Sequence, residues 1–325
     1  MQRISAELKE RARSLLEEKT VDAVLGWRAG YFSYDPTPGL FGLGDLEGFT
    51  YNSFCSGNLS KYLININHGR VLALLKPCDT YGFNQLLLER RVERDTAYVL
   101  GIGCDGMIDM EKVRARGIKG VLAVEETEED LLFKTIYGDR PCPRGDVLLE
   151  KCRSCKGKEH KVYDELIGAS ESREAAGEDR FAQVAGLEAM TPDQRFSFWR
   201  GELSRCIRCN ACRNVCPVCS CRTCIFDNSR SGVDSKANAN SFEENMFHII
   251  RSFHVAGRCT DCGECSRVCP QSIPLHLLNR KYIKDIDSLY GGFQAGESPE
   301  VSGPLTSYAK DDAEPDIVYR KGGAR

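Results

Sequence analysis

The chain contains no apolar run approaching the roughly 18 residues expected of a membrane-spanning helix. Its opening, Met1-Gln-Arg-Ile-Ser5, starts a charged amphipathic segment. That segment has neither the apolar core of a secretion signal nor a twin arginine. A cytoplasmic protein without membrane insertion is therefore expected. An excess of one charge is also missing: 44 Lys and Arg stand against 47 Asp and Glu, a net charge of −3. This balance argues against nucleic acid or an anionic membrane as the main partner, and no basic recognition helix is visible. No set of residues suggests covalent or acid–base catalysis. Hydrophobic content of 42% and charged content of 28% describe an ordinary globular protein, with chain enough for two domains.

Cysteine is abundant instead, with 17 residues, which in a reducing compartment points to metal ligation. The chain is organised around Cys206-Ile-Arg-Cys209-Asn-Ala-Cys212-Arg-Asn-Val-Cys216-Pro217 and Cys259-Thr-Asp-Cys262-Gly-Glu-Cys265-Ser-Arg-Val-Cys269-Pro270. Each is the run C-x2-C-x2-C-x3-C-P, the ligand pattern of two-cluster ferredoxins. Three thiolates two residues apart on a tight loop can wrap one cubane. The fourth, on the helical turn that follows, faces away and reaches the other cluster. One 4Fe–4S cluster is thus assigned to Cys206, Cys209, Cys212 and Cys269, and a second to Cys259, Cys262, Cys265 and Cys216. Structural zinc would use C-x2-C pairs rather than triplets ending in Cys-Pro.

Short apolar runs alternate with helical patterns through residues 1–167, which predicts an α/β domain. A helix over 5–18 is expected with Ser5 as cap. Strands are expected at Val21–Leu25, Val71–Leu75, Ala97–Leu100, Val121–Val124 and Asp146–Leu149. Helices are expected at Phe83–Glu89, Met107–Ala115 and Glu159–Leu166, and a loop at Gly39–Gly57. Glu125–Asp130 reads as a solvated helix start. Residues 168–190 form a linker, and Thr191-Pro192-Asp193 signals a helix start. The two Cys runs are separated by 42 residues, more than a small βαββαβ ferredoxin needs. That length and a helical pattern at Phe242–Val255 predict an all-helical two-cluster ferredoxin domain over 191–290. Residues 291–325 read as a tail or docking arm.

Four further cysteines are candidates for a third 4Fe–4S cluster: Cys78, Cys104, Cys152 and Cys155. If the expected strands are parallel, all four lie just past strand carboxyl ends, where α/β sheets bind ligands and helix N-termini favour thiolates. Cys219 or Cys221 is an alternative ligand, although Cys219, Cys221 and Cys224 also suit packing thiols near the first cluster. Cys55 and Cys142 stand alone in loops. Gly101, Gly103 and Gly106 form G-x-G-x-x-G after a strand, with Glu125 19 residues beyond Gly106. This is the layout of a dinucleotide site, and it competes with a backbone approach to a cluster for the same loop. Arg251 and His254 flank the second cluster loop, with a structural hydrogen-bonding role as the default.

Cys206–Cys221, with its C-P-x-C-x-C ending, and His254–Pro274 resemble the dicluster module of cytoplasmic electron-transfer subunits. These include the beta subunit of soluble hydrogenase/sulfur reductase and the A subunit of anaerobic sulfite reductase. Iron–sulfur subunits of heterodisulfide-reductase-associated flavin oxidoreductases are similar. Lys76-Pro-Cys78-Asp and Gly103-Cys104 resemble, more loosely, an amino-terminal domain shared with the beta subunit of deazaflavin-reducing hydrogenases. Cys152-Arg-Ser-Cys155 departs from the Cys-x-Cys pair of hydrogenase-type members. The resemblance implies an iron–sulfur subunit of an anaerobic multisubunit oxidoreductase. Such a subunit relays single electrons between a flavin/NAD(P)H or ferredoxin module and a catalytic subunit of hydrogenase, formate dehydrogenase, sulfite reductase or heterodisulfide reductase type. The expected partners are a flavoprotein, a catalytic subunit and ferredoxin. The alternative is a flavin- or nicotinamide-binding subunit that uses Gly101–Gly106 as its nucleotide loop.

Overall fold

The computed structural model describes residues 2–66, 69–127, 130–157, 159–168, 179–228, 230 and 241–306. Its amino-terminal half opens with α1 (Gln2–Glu17), β1 (Ala23–Arg28), β2 (Thr37–Phe41) and β3 (Phe49–Thr50). Then come β4 (Val71–Leu75), α2 (Pro77–Leu88), β5 (Ala97–Ile102) and α3 (Met110–Ala115). Strands β6 (Val121–Glu126), β7 (Asp130–Thr135) and β8 (Arg140–Pro143) lead to α4 (Glu150–Arg153) and β9 (Glu165–Ile167). The main sheet has the order β2-β1-β4-β5-β9, with β3 also pairing β1. Strands β1, β4, β5 and β9 are parallel, whereas β2 and β3 run antiparallel to β1. Strands β6, β7 and β8 form a separate antiparallel sheet.

The core explains this order. β4 reads Val71-Leu-Ala-Leu-Leu75 and is buried at every residue, the composition of a central parallel strand covered on both faces. Each buried Leu there contributes roughly 1.5–3 kcal/mol of transfer free energy. Leu8, Ala12, Leu15 and Leu16, on one face of α1, join the same core. Pro77 then ends the strand and starts α2 at its first turn, where a missing N–H costs nothing. The Asp79 carboxylate accepts the Lys76 N–H at 3.2 Å and closes that turn.

After β9, the described residues form helices only: α5 (Ala182–Ala189), α6 (Pro192–Leu203), α7 (Ala211–Asn214), α8 (Ser241–Val255), α9 (Glu264–Arg267) and α10 (Leu275–Tyr290). α6 starts with a capping box: the Thr191 hydroxyl accepts the Gln194 N–H at 3.3 Å, and the Gln194 side chain accepts the Thr191 N–H at 3.0 Å. Leu203, Phe226, Phe247, Ile273 and Leu275 form the helical core. Residues 291–306, expected as a tail or docking arm, fold back over the rest of the chain. The Asn84 amide donates to the Gly296 carbonyl at 3.1 Å, and Lys161 pairs with Glu297 at 3.2 Å. Residues 307–325 of that stretch lie outside the described residues, as do 169–178 of the expected linker, whose end forms α5.

Several local expectations are corrected. Gly39–Gly57 is not a loop throughout, because it contains most of β2 and all of β3, strands added to β1 by pairing rather than by apolar pattern. Glu125–Asp130 is not a helix start: its described residues belong to the β6–β7 hairpin, whose Leu131 and Phe133 are buried in a second core. Asp146–Leu149 is not a strand. A 3₁₀ turn covers Arg144–Val147, and only a single bridge, Ile108 to Leu148, remains of the pairing. Glu159–Leu166 is not a helix, because the Asp164 carboxylate accepts the Val99 N–H at 2.7 Å and draws the chain alongside β5 as β9. α2 starts at Pro77, earlier than the expected Phe83, and Ser5 lies inside α1, where its hydroxyl accepts the Tyr51 N–H at 3.0 Å.

Candidate metal centres

The two cysteine runs adopt the same backbone. In the first, Arg208 and Asn210 are left-handed, with φ of 52° and 63°; in the second, Asp261 and Gly263 take 51° and 67°. Each second cysteine is thus bracketed by left-handed residues that curl the loop. Each third cysteine sits on a one-turn helix, Cys212 on α7 and Cys265 on α9. The helical turn carries the fourth cysteine away from its own loop.

Two cavities result. One is lined by Cys206, Cys209, Cys212 and Cys269, with Ile207, Pro270, Ile273 and Leu275 among its apolar walls. The other is lined by Cys216, Cys259, Cys262 and Cys265, with Asp261, His276 and Asn279. Each cavity takes three cysteines from one run and one from the other. Among the described residues, no three His, Cys, Asp or Glu side chains close around a single metal ion, and the thiols ring open cavities instead. None of the 17 cysteines is in a disulfide. The donor set fits cubane clusters: all-sulfur, with four thiols per cavity.

Electrostatics favour an anionic group there. Arg251 is buried and feels thiols of both cavities, and its Nη2 donates to the Cys212 carbonyl at 3.0 Å. Burial would lower its pKa, but the surrounding Cys216, Cys219, Cys265 and Cys212 raise it instead. Burial pushes the Cys262 and Cys265 thiols up to about 12. These groups therefore hold protons until a metal displaces them. Two neutral side chains reach the sulfurs directly. His248 Nε2 lies 3.2 Å from Cys206 Sγ, and Asn279 Nδ2 donates to Cys265 Sγ at 3.8 Å. His248 is held at about 3 by burial and then by Arg251 and Arg208, so its ring is neutral and can donate from Nε2.

The structure also draws the amino-terminal thiols together. β4 and β5 are parallel neighbours, and Cys78 and Cys104 follow their carboxyl ends, Cys78 in the first turn of α2. Cys152 lies on α4 and accepts the Met107 N–H at 3.3 Å. Cys104 is raised to about 12 by burial and then by Cys152, with Cys155 adding to the effect; Cys78 is raised by burial and Asp79, and feels Cys104. Cys219 is placed elsewhere, hydrogen-bonded to Cys216, while Cys221 is exposed beside Arg258. Cys224 packs on the helical core and is paired with Arg213. Cys55 and Cys142 are buried, the latter in the core of the second sheet.

The dinucleotide layout is not met. Gly101 lies within β5 against His160 and Leu166, and the Gly103 N–H is bound to the Ile167 carbonyl at 3.1 Å. No helix opens at Gly106: α3 starts at Met110, capped by the Asp109 side chain. Glu125 belongs to the second, antiparallel sheet, and is exposed beside Lys134. The repeat of glycines in the sequence concealed this change of sheet.

Sequence reasoning missed His248, Asn279, Glu264 and the buried Arg280. Spacing alone gives no sign of the first two. Glu264 did leave a signal, since it stands where the first run has Ala211.

Residues 202–273 match the model of the 4Fe-4S dicluster domain family. The chain is 23% identical over 340 residues to an F420-dependent formate dehydrogenase subunit beta of Methanocaldococcus jannaschii, covering 85% of this chain and 88% of that protein. It is 23% identical over 357 residues to an F420-dependent formate dehydrogenase 1 subunit beta of Methanococcus maripaludis, covering 88% and 89%. A solved structure of the F420-reducing [NiFe] hydrogenase complex from Methanosarcina barkeri is also similar, at 14% identity and a TM-score of 0.37, covering 45% of this chain and 57% of that one. No helix among the described residues is long and apolar enough to cross a membrane.

Proposed function

We propose that the chain is the iron–sulfur electron-transfer subunit of an anaerobic, cytoplasmic oxidoreductase complex of the formate dehydrogenase or hydrogenase type. The observation that carries this reading is the division of eight cysteines between two cavities, three from one run and one from the other in each. Cys206, Cys209, Cys212 and Cys269 would hold one 4Fe–4S cluster, and Cys259, Cys262, Cys265 and Cys216 the other. Bound clusters supply one-electron transfer without covalent chemistry on substrate. The chain's own contribution is to bury the clusters, set Arg251 where it feels thiols of both and aim His248 and Asn279 at ligand sulfurs, the levers that set cluster potentials. Cys78, Cys104, Cys152 and Cys155 would hold a third cluster, supported by their convergence beyond β4 and β5. The α/β unit spans 1–167 and the ferredoxin module 191–290. The partners are a flavoprotein or ferredoxin-type donor and a catalytic subunit.

Iron and sulfide counts on anaerobically purified chain test this. About twelve irons per chain are expected with three clusters and about eight with two. Cys209→Ala and Cys262→Ala should each lose about four irons and part of the fold, because metal binding is coupled to folding. A colourless chain, silent in electron paramagnetic resonance after dithionite, overturns the proposal.

A further inference from the structure

The two cysteine loops share spacing and backbone, yet their intervening residues differ. Where the first loop has Ile207, Arg208, Asn210 and Ala211, the second has Thr260, Asp261, Gly263 and Glu264. Three of the second loop's residues touch one short segment, Lys151–Lys156, which carries Cys152 and Cys155, and Asp261 reaches it through Arg280. Lys151 Nζ forms a buried ion pair with Glu264. A Cβ on Gly263 would overlap the Cβ of Lys151. The Lys156 ammonium donates to the Thr260 carbonyl. Arg280 joins the remaining pair: its Nε donates to Asp261 Oδ1 at 2.7 Å and its Nη1 to Ser154 Oγ at 2.8 Å. In the first loop Arg208 and Asn210 turn inward and are buried, but Ile207 is 58% exposed and Cys209 is exposed, so the second cysteine of that loop meets the surface.

We propose that the second loop is built as a junction between sites: Gly263 and Glu264 seat the Cys78/Cys104/Cys152/Cys155 site directly against the Cys216/Cys259/Cys262/Cys265 cavity. The adjacent pair of centres then spans the boundary between the α/β unit and the helical module, and the Cys206/Cys209/Cys212/Cys269 cavity is the outward-facing end. Gly263 and Glu264 are positioning residues. Gly263 removes the side chain that would hold Lys151 off, and Glu264 neutralises the Lys151 ammonium, which neither site could leave buried and unpaired. No bond is made or broken and no proton moves. The inference rests on the amino-terminal thiols holding a cluster.

The test measures iron content and then the electron paramagnetic resonance spectrum of the fully reduced, full-length protein. The informative variant is Gly263→Asn. Asparagine already holds the same left-handed conformation at position 210, with φ of 63°, so the backbone tolerates it while the side chain meets Lys151. Glu264→Gln removes the charge with no added bulk and serves if the first variant fails to fold. In the wild type, about twelve irons and a spectrum broadened by interaction between neighbouring centres are expected. Either variant should keep the iron content and lose the part of the broadening that comes from the amino-terminal centre, while the part between the two clusters of the helical module stays. Full iron content with unchanged broadening in a folded variant overturns the junction alone. Eight irons in the wild type remove the amino-terminal centre, and the proposal with it.

Discussion

Glu264→Gln should destabilise α9 together with its contact to Lys151 of the α/β unit by about 3 kcal/mol. Glu264 is fully buried; its carboxylate accepts Arg267 Nε at 2.8 Å and Nη2 at 2.7 Å, and it pairs with Lys151. Burial alone would raise its pKa, but Lys151 and Arg267 outweigh that and hold it at about 2, against an ordinary 4.5. At about 1.4 kcal/mol per pKa unit, that difference corresponds to about 3 kcal/mol favouring the folded, ionised state. Leaving a buried cation without its partner costs a similar 3–5 kcal/mol or so. Hydrogen exchange read by mass spectrometry suits a cofactor protein, in which global unfolding is not two-state. Amides of 150–156 and 260–267 should exchange about a hundredfold faster in the variant. Because the folded pKa is depressed, the stabilisation is fully present above about pH 4.5 and is lost as pH falls through about 2. The difference between wild type and variant should therefore stay constant from about pH 8 to pH 5. A difference below about 1 kcal/mol, or one that grows as pH falls across that interval, refutes the reasoning. Lys151→Met added to Glu264→Gln should recover part of the loss, since it removes the orphaned charge.

His248→Phe removes the nitrogen that faces Cys206 Sγ while keeping a ring edge-on to Phe247. A hydrogen bond to a ligand sulfur stabilises the more negative, reduced state, so one cluster potential should fall in a redox titration and the other should stay unchanged. Unchanged potentials for both would remove His248 from the set of tuning residues. Thr191→Ala breaks the capping box of α6 and should cost about 1 kcal/mol, read as faster exchange in the first turn of that helix; protection equal to wild type contradicts the cap.

The matching backbone of the two cysteine runs was legible because local spacing alone encodes the loop and its helical turn. The layered α/β plan was legible for the same reason: Val71–Leu75 is apolar at every position, the composition of a strand covered on both faces. What failed were elements defined by their partners. β2 and β3 are strands because β1 lies beside them, and Thr37–Phe41 carries no alternation of its own. Glu159–Leu166 showed a helical spacing, but Asp164 bound to the backbone of Val99 decided otherwise. The site was partly hidden for a related reason. Lys151 and Glu264 are 113 residues apart, so neither announces the other. The mismatch of Ala211 with Glu264 between two matching runs was the one visible trace, and its meaning depended on what stands opposite.

Asn84 is buried beside the sheet, and its amide has its partners at Gly296 and Glu297, near the end of the described chain. A Cβ at Gly296 would overlap the Tyr81 carbonyl, so the strap passes against the backbone of α2. The first half of this polypeptide therefore leaves the ribosome with an amide group still waiting for a segment that is translated over two hundred residues later. These two hydrogen bonds of the amino-terminal unit form only after Glu297 has been synthesised.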